Sequence, residues 1–210
     1  FLWHLTTRDN WISVRKRADG GDYTLSSTAT LHAEASSPSF ALGEARRECQ
    51  TLELPWGNAL IRDQLQLANS EKQLGLPEGW DLGRYCGWLN EFVFFWPGNQ
   101  DGPVTPAGKK HFRYHLRKTE VKLTFLKVDV EKALRTYDGE VLFSSGSLGA
   151  PSGRKKVVPR GPSSLVTAPE IDVPSKVVEI AFRDELVLTT RAVTPVAESR
   201  MREHLGIDDE

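Results

Sequence analysis

The chain has 210 residues, a formal net charge of −1 at pH 7, 39% hydrophobic residues and 26% charged residues. A chain of this length and composition can bury roughly 70% of its unfolded surface, so we expect one globular domain over residues 1–210. The longest apolar runs, such as residues 92–96, are far too short to cross a bilayer, and no basic-then-apolar leader opens the sequence. No membrane partner is therefore expected.

Cysteine usage indicates the compartment. Cys49 and Cys86 are the two cysteines of the chain, which excludes a disulfide framework and leaves too few thiolates for a structural zinc site. A reducing environment fits best, so we expect a cytoplasmic protein without a structural metal.

The first half of the sequence carries helix and strand signals separated by turn residues. Asp9 is placed to cap a helix over residues 10–17, which Gly20 and Gly21 end, so the opening segment is expected to form a strand, a turn and a helix. Asp81 is placed to cap a helix that runs to Asn90. The other elements expected here are a helix around residues 44–51 and strands at residues 58–62 and 93–96, the last stopped by Pro97.

Strand signals dominate the second half. Residues 110–117 alternate between an apolar side (Phe112, Tyr114 and Leu116) and a basic side (His111, Arg113, His115 and Arg117), which predicts a half-buried strand with a basic outer face. Further strands are expected at residues 121–128, 140–143, 176–182 and 186–192, with a helix capped by Asp129 and another near residues 196–205. Helices early, strands late and no regular βαβ alternation favour an α+β fold.

Residues 144–175 are expected to form a long loop, because they contain five prolines, four glycines and seven serines. Loops of this length in compact domains are usually functional or disordered. The loop carries a basic cluster made of Arg154, Lys155, Lys156 and Arg160. Such a cluster can follow a phosphate backbone, or it can be an ordinary solvated face.

Common catalytic and metal-binding motifs are missing. His111 and His115 have the spacing of a helical metal site, but the sequence His-Phe-Arg-Tyr-His lacks the glutamate of H-E-x-x-H and lies among cations, so no metal is expected. No GxGxxG or Walker loop is present, and no G-x-S-x-G elbow surrounds Ser145.

Four segments, in order along the chain, resemble one enzyme family. The segment Trp-His-Leu-Thr at residues 3–6, followed by Asn10 and Val14, resembles the first strand and helix of DarT-like ADP-ribosyltransferases. The other three segments are Ile-Arg-Asp-Gln at 61–64, Val-Phe-Phe-Trp at 93–96 and Val-Val-Glu-Ile at 177–180. The resemblance spans nearly the whole chain and implies an NAD-binding α+β fold with a split β-sheet and short flanking helices.

The resemblance also implies roles for individual residues. Glu179 is implied as the catalytic carboxylate, and Arg62 as a catalytic residue that also pairs with the pyrophosphate of NAD. The residues implied to bind NAD, which is consumed as a substrate, are His4, Thr6, Asn10, Tyr23 and Arg62. Cleavage of the nicotinamide bond builds positive charge on the ribose, and a carboxylate aimed at that charge stabilises the transition state.

Each of these roles has a plainer alternative. Glu179 could be an edge-strand carboxylate that faces water, and Arg62 could form a surface pair with Asp63. His4 could be a hydrogen-bonded structural histidine.

DarT-like enzymes modify DNA bases, so the resemblance implies a nucleic acid acceptor, either DNA or RNA. It also implies a toxin or defence effector with an antitoxin or immunity partner. The residues expected to bind the acceptor are Arg113, His115, Arg117, Arg154, Lys155 and Lys156.

Two other functions stay open. A binding module on the same fold would hold nucleic acid or a protein on its basic faces without catalysis. Transfer of an RNA 2′-phosphate to NAD uses a related fold, but its usual arginine and histidine pattern is not evident in this sequence. Convergence of His4, Arg62 and Glu179 on one cleft would favour the transferase. Their dispersal over the surface would exclude the transferase hypothesis.

Overall fold

The computed structural model describes residues 1–118, 121–149, 157–170 and 176–207. These ranges contain twelve strands, seven α-helices and three short 3-10 helices. The strands are β1 (Leu2–Thr7), β2 (Tyr23–Ser26), β3 (Gln50–Leu54), β4 (Gly57–Ile61), β5 (Leu74–Gly75), β6 (Phe92–Pro97), β7 (Leu123–Val128), β8 (Val141–Ser144), β9 (Val158–Pro159), β10 (Glu179–Arg183), β11 (Glu185–Leu188) and β12 (Val193–Ala197). The helices are α1 (Arg8–Ala18), α2 (Thr28–Glu34), α3 (Leu65–Ala68), α4 (Leu82–Leu89), α5 (Pro106–Lys118), α6 (Val130–Thr136) and α7 (Glu198–Leu205).

A six-stranded sheet organises the fold, with the strand order β12-β7-β1-β6-β10-β8 and antiparallel pairing throughout. β1 pairs with β7 along its whole length, from Leu2 opposite Val128 to Thr7 opposite Leu123. Outside this sheet, β11 pairs with β2 and β3 with β4, both antiparallel, and the short β5 and β9 pair in parallel. Strands and helices alternate along parts of the chain, but the main sheet is antiparallel, which confirms the α+β class.

Hydrophobic side chains cover both faces of this sheet. On one face, Leu126 and Phe182 are fully buried in a cluster that includes Trp11 of α1. On the other face, Phe125 belongs to a cluster with Phe112 of α5 and Met201 of α7. The neighbours Phe125 and Leu126 therefore face opposite layers, as the two-residue period of a strand requires.

The side-chain amide of Asn10 ties α1 to β4. Its Oδ1 accepts a hydrogen bond from the Leu60 N–H at 2.7 Å, and its Nδ2 donates to the Leu60 carbonyl at 2.9 Å. Close by, Gly57 has a φ of 141°, and a Cβ at this position would lie 2.9 Å from Ser13 Oγ, so the approach of α1 to β4 requires glycine. Asn10, which was expected to bind NAD, thus already uses both ends of its amide within the fold.

The strand predicted over residues 110–117 is wrong, because this segment lies within the helix α5. Phe112 and Leu116 are buried on one side, and their four-residue spacing satisfies a helix as well as a strand. Thr105 precedes the helix, and its Oγ1 accepts a hydrogen bond from the Gly108 N–H at 3.1 Å. A basic outer strand face therefore does not exist, and its residues are distributed around the helix.

Other predicted elements have mixed outcomes. The helices capped by Asp81 and Asp129 are confirmed, and each carboxylate accepts a hydrogen bond from a backbone N–H in the first turn. The helix predicted around residues 44–51 is wrong, since no helix forms there and β3 begins at Gln50. The helix predicted from Val196 begins later, at Glu198, after the unexpected strand β12. Among the described helices, none is long and apolar enough to cross a membrane.

Replacing Asn10 by alanine removes both hydrogen bonds to Leu60, so the variant should lose about 1–3 kcal/mol of unfolding free energy. Urea unfolding followed by tryptophan fluorescence measures this loss. Asn58→Ala is the matched control, because Asn58 is an exposed residue of β4, the strand that also contains Leu60. A loss for Asn10→Ala no greater than that of the control would contradict the structural role.

Candidate functional site

Several of the residues singled out from the sequence meet in one cleft beside the six-stranded sheet. One part of it, with a volume of about 280 Å³, is lined by His4, Thr6, Asn10 and Arg62. The adjoining part, of about 250 Å³, is lined by Arg62 and Glu179. Both parts share Arg62 and Trp96, and we refer to the two together as the central cleft.

Glu179, the first residue of β10, is only 3% exposed. Its Oε1 accepts a hydrogen bond from Ser147 Oγ at 2.8 Å, and its Oε2 accepts one from the Leu148 N–H at 2.9 Å. Burial raises the pKa of Glu179 to about 7, against the opposing effects of these two hydrogen bonds and of the Arg160 charge. The alternative of a carboxylate facing water is therefore wrong. Glu179 is a buried acid that can exchange a proton near neutral pH.

Arg62 directly follows β4 and turns its side chain into the cleft. Its Nη1 is buried and has no hydrogen-bond partner among the described residues. Asp63 does not pair with it within 4.0 Å, and instead accepts a hydrogen bond from the Leu65 N–H at 3.0 Å. Burial lowers the pKa of the Arg62 guanidinium, yet a group of this type stays charged. Arg62 thus makes no ion pair within 4.0 Å in the part of the chain that the structure describes, although the charge of Asp63 acts to raise its pKa.

A second buried arginine fixes the backbone of Arg62. The Arg46 side chain is 8% exposed, and its Nε donates to the Arg62 carbonyl at 3.0 Å. Its Nη1 and Nη2 both donate to Asn90 Oδ1 at 3.2 Å. The Arg46 carbonyl accepts from the Gln64 N–H at 2.7 Å. Through Arg46, the segment that carries Arg62 is held against the end of α4.

His4 and Thr6 lie on β1, two residues apart, and so project from the same side of the strand. His4 Nδ1 lies 2.9 Å from the Phe94 carbonyl oxygen. Because a carbonyl only accepts hydrogen bonds, Nδ1 carries the proton and Nε2 is left as an acceptor. Burial lowers the pKa of His4, so its imidazole is neutral. His4 is thus anchored within the sheet at one nitrogen while it lines the cleft.

Sequence reasoning missed a group of aromatic side chains in the same cleft. The His111 ring stacks on the Trp96 ring at 4.2 Å, and the His115 ring lies 4.3 Å from that of His111. Burial, reinforced by the charge of Arg62, lowers the pKa of His111 to about 3. Burial, with His111 and Arg62 nearby, lowers the pKa of His115 to about 2. The four-residue spacing of the two histidines is visible in the sequence, but the strand predicted over residues 110–117 placed them on an outer face instead of in the cleft.

Buried polar atoms of the cleft lack partners. Among the described residues, Arg62 Nη1, Trp96 Nε1 and His115 Nδ1 are buried and make no hydrogen bond. The Trp96 indole nitrogen also approaches Glu179 closely enough to affect its pKa, although the contact lacks normal hydrogen-bond geometry. Orphaned buried polar groups are costly in a folded protein, so their concentration here indicates a site for a polar ligand.

A larger cavity of about 740 Å³ adjoins the central cleft. One face of α5 lines it with Lys110, His111, Tyr114 and Lys118, and the loop after β8 closes it with Ser147. We call this space the α5 cavity. His111 and Tyr114 line both the α5 cavity and the central cleft, so the two spaces lie side by side.

Several predicted site residues lie elsewhere or have other partners. Tyr23 packs against Trp11 with ring centroids 4.9 Å apart and is not part of the cleft lining. Arg113 donates from Nε and Nη2 to the Leu205 carbonyl at 3.1 and 2.8 Å, which caps the end of α7. Arg117 is exposed near the end of α5.

The predicted acceptor-binding set is therefore not one surface. His115 faces the central cleft as a neutral imidazole, apart from Arg113 and Arg117. Arg154, Lys155 and Lys156 lie outside the described residues.

Comparison with known proteins places the chain in a family. A family described as "Family of unknown function (DUF7002)" matches residues 1–193, and the chain belongs to it. No curated protein and no solved structure shows significant similarity to the chain.

The raised pKa of Glu179 predicts how the unfolding free energy of the protein changes with pH. A raised carboxyl pKa means that the folded state holds the proton more tightly, so this group stabilises the fold at low pH, and its contribution is lost as pH rises from about 4.5 to about 7. Wild type should therefore lose on the order of 3 kcal/mol relative to Glu179→Gln across this window. Urea unfolding of both proteins at pH 4.5, 6, 7 and 8 measures the difference. Since all other titrating groups are common to both, a constant difference would contradict the buried, titrating carboxyl.

Proposed function

We propose that this member of the DUF7002 family is an NAD-dependent ADP-ribosyltransferase that modifies a nucleic acid base, with Glu179 and Arg62 as catalytic residues. The observation that carries the proposal is that His4 and Glu179 line adjoining parts of the central cleft and that Arg62 lines both parts. These residues come from β1, the end of β4 and β10, far apart in the sequence. Such convergence is what the resemblance to DarT-like enzymes requires.

The unpaired cation of the cleft supports NAD as the substrate. Arg62 offers a rigid set of N–H donors, one of them buried without a partner, and the pyrophosphate of NAD is a dianion that matches it. His4 presents Nε2 as an acceptor, and Thr6 presents a hydroxyl on the same side of β1. These two side chains suit the hydroxyl and amide groups of the nicotinamide riboside.

The position of Glu179 supports its role in bond cleavage. When the C1′–N bond of the nicotinamide riboside breaks, its electron pair leaves with nicotinamide and positive charge develops on the ribose. A negative carboxylate in a buried site stabilises that charge more strongly than it would in water. The acceptor atom then donates its lone pair to C1′ and releases its proton, which completes transfer of ADP-ribose.

The fold and the α5 cavity support the remaining parts of the proposal. An antiparallel sheet with small two-stranded sheets and short helices beside it fits a split-sheet ADP-ribosyltransferase. Lys110 and Lys118 line the α5 cavity, which adjoins the cleft that holds Glu179. Their positive charge suits the phosphate groups of a nucleic acid acceptor. We further propose that the enzyme acts in the cytoplasm as a toxin or defence effector with an antitoxin or immunity partner.

NAD affinity tests the role of Arg62. Arg62→Ala should weaken NAD binding by about 1.5 to 3 kcal/mol, because a charge-assisted hydrogen bond to the pyrophosphate is lost. Isothermal titration calorimetry measures the affinity. Arg15→Ala, which removes an exposed arginine at the end of α1, is the matched control and should bind NAD like wild type. Equal affinity of Arg62→Ala and the control would remove Arg62 from the site.

Transfer rates test the proposed chemistry. Labelled NAD is incubated with single-stranded DNA, duplex DNA, RNA or cell protein, and the transferred label is counted. Glu179→Gln removes the negative charge but keeps the size of the side chain, so transfer should fall about 10²- to 10⁴-fold with little change in NAD affinity. Near wild-type transfer by well-folded Glu179→Gln would refute the catalytic role. Wild-type binding of nucleic acid without NAD cleavage would favour a binding module instead.

A further inference from the structure

His111 occupies the boundary between the central cleft and the α5 cavity. It lines both spaces, whereas Glu179 and Arg62 line only the cleft, and Lys110 and Lys118 line only the cavity. A molecule in the α5 cavity that reaches towards Glu179 therefore meets residues that line both spaces, His111 and Tyr114 among them. His111 is placed between the two reacting partners of the proposed transfer.

The His111 ring is fixed without using its nitrogens. It stacks on Trp96 at a centroid distance of 4.2 Å with an angle of 23° between the planes, and His115 contacts it at 4.3 Å. Neither ring nitrogen makes a hydrogen bond to the residues that the structure describes, and neither is a fully buried atom. The ring orientation thus comes from stacking, while both nitrogens remain open to a ligand.

The surroundings of His111 keep it in the form that accepts a proton. Arg62 and His4 lie near it in the cleft, His115 and Tyr114 on the same helix, and Lys110 beside it in the α5 cavity. Burial and the charge of Arg62 hold its pKa far below neutrality. The imidazole is therefore neutral throughout the physiological pH range.

Glu179 is held in place through hydrogen bonds to both of its carboxylate oxygens. Its two oxygens face Ser147 Oγ and the Leu148 N–H at 2.8 and 2.9 Å. Both hydrogen bonds stabilise the negative carboxylate, which is the form needed beside a positively charged ribose. If Glu179 stays ionised beside the ribose throughout transfer, the acceptor's proton passes to a second group on the acceptor side.

We propose that His111 is a catalytic residue that accepts the proton of the acceptor during transfer, an inference that rests on the proposed function. The lone pair of an acceptor nitrogen or oxygen forms the bond to C1′, and the C1′–N electron pair leaves with nicotinamide. The acceptor's proton passes to an imidazole nitrogen of His111 and then to water. Trp96 is the positioning residue that holds the ring in place.

A weakly basic imidazole suffices for this step. Once the acceptor atom bonds to C1′ it carries positive charge, and its N–H or O–H becomes far more acidic than in the free acceptor. A base of low pKa is less efficient than one that titrates near neutral pH, but it can take up so acidic a proton when it lies within hydrogen-bond reach and is unprotonated. His111 satisfies both requirements if the acceptor occupies the α5 cavity.

The test compares two reactions of the same protein. His111→Phe keeps a ring that can stack on Trp96, and His111→Gln keeps a hydrogen-bonding amide, but neither side chain accepts a proton. Transfer to a single-stranded DNA or RNA oligonucleotide should fall about 100-fold or more in both variants. Release of nicotinamide without acceptor should fall much less, by under about 10-fold, because water is small and needs no orientation in the cavity.

A matched control and two independent measurements accompany these variants. His32→Phe replaces a histidine that meets the Phe40 ring edge-on outside the cleft lining, and this variant should transfer and release nicotinamide like wild type. Melting temperature and NAD affinity are measured for all variants, to separate a chemical effect from misfolding or lost NAD binding.

The outcomes are distinct. Selective loss of transfer in both His111 variants supports the proposal. Equal loss of transfer and nicotinamide release, or retained transfer in either variant, overturns the role of His111 and leaves the proposed function intact. Wild-type protein that does not cleave NAD overturns the proposed function, and the role of His111 with it. Wild-type protein that cleaves NAD but modifies neither oligonucleotide refutes the nucleic acid acceptor and this role together.

Discussion

The burial of one carboxylate, that of Glu179, determines how the walls of the cleft are joined. Taking a carboxylate out of water is costly, and here the cost is offset by hydrogen bonds from Ser147 Oγ and the Leu148 N–H. Leu148 is itself fully buried, and its carbonyl accepts a hydrogen bond from Tyr85 of α4 at 3.0 Å. The same residues that satisfy the acid therefore connect β10, the loop after β8 and α4. A cleft built around Glu179 is rigid on this side.

On the opposite side of the cleft, the buried group that joins the walls is an arginine, Arg46, and not a carboxylate. Arg46 is buried, and its donors go to the Arg62 carbonyl and to Asn90 Oδ1. Because the segment after β4 is fixed in this way, Arg62 can hold a charged guanidinium in the cleft without an ion pair among the described residues. A buried acid on one side and an unpaired cation on the other form a polarised site. That arrangement suits a ligand with an anionic part and a bond that becomes positively charged as it breaks.

Local signals in the sequence predicted several residues that line the cleft, but they did not predict how deeply these residues are buried. The acid in an apolar strand and the arginine at a strand end were found because polar groups within apolar segments are conspicuous. Helix α5 was mistaken for a strand, since Phe112 and Leu116 fit both a period of two and a spacing of four. That error placed His111 and His115 on an outer basic face with Arg113 and Arg117, whereas the helix turns the two histidines into the cleft without the arginines. Tyr23 and Arg113 could not be placed from sequence, because their partners Trp11 and Leu205 depend on tertiary packing.

The central claim is that one ligand spans Arg62 and Glu179. The most direct measurement is a crystal structure of the protein with a non-cleavable NAD analogue. The account predicts the pyrophosphate against the Arg62 guanidinium and the nicotinamide-side ribose within about 3 Å of a Glu179 oxygen, with the α5 cavity left open for the acceptor. An analogue bound away from these two residues, or one that does not bind at concentrations that saturate NAD-using enzymes, would contradict it.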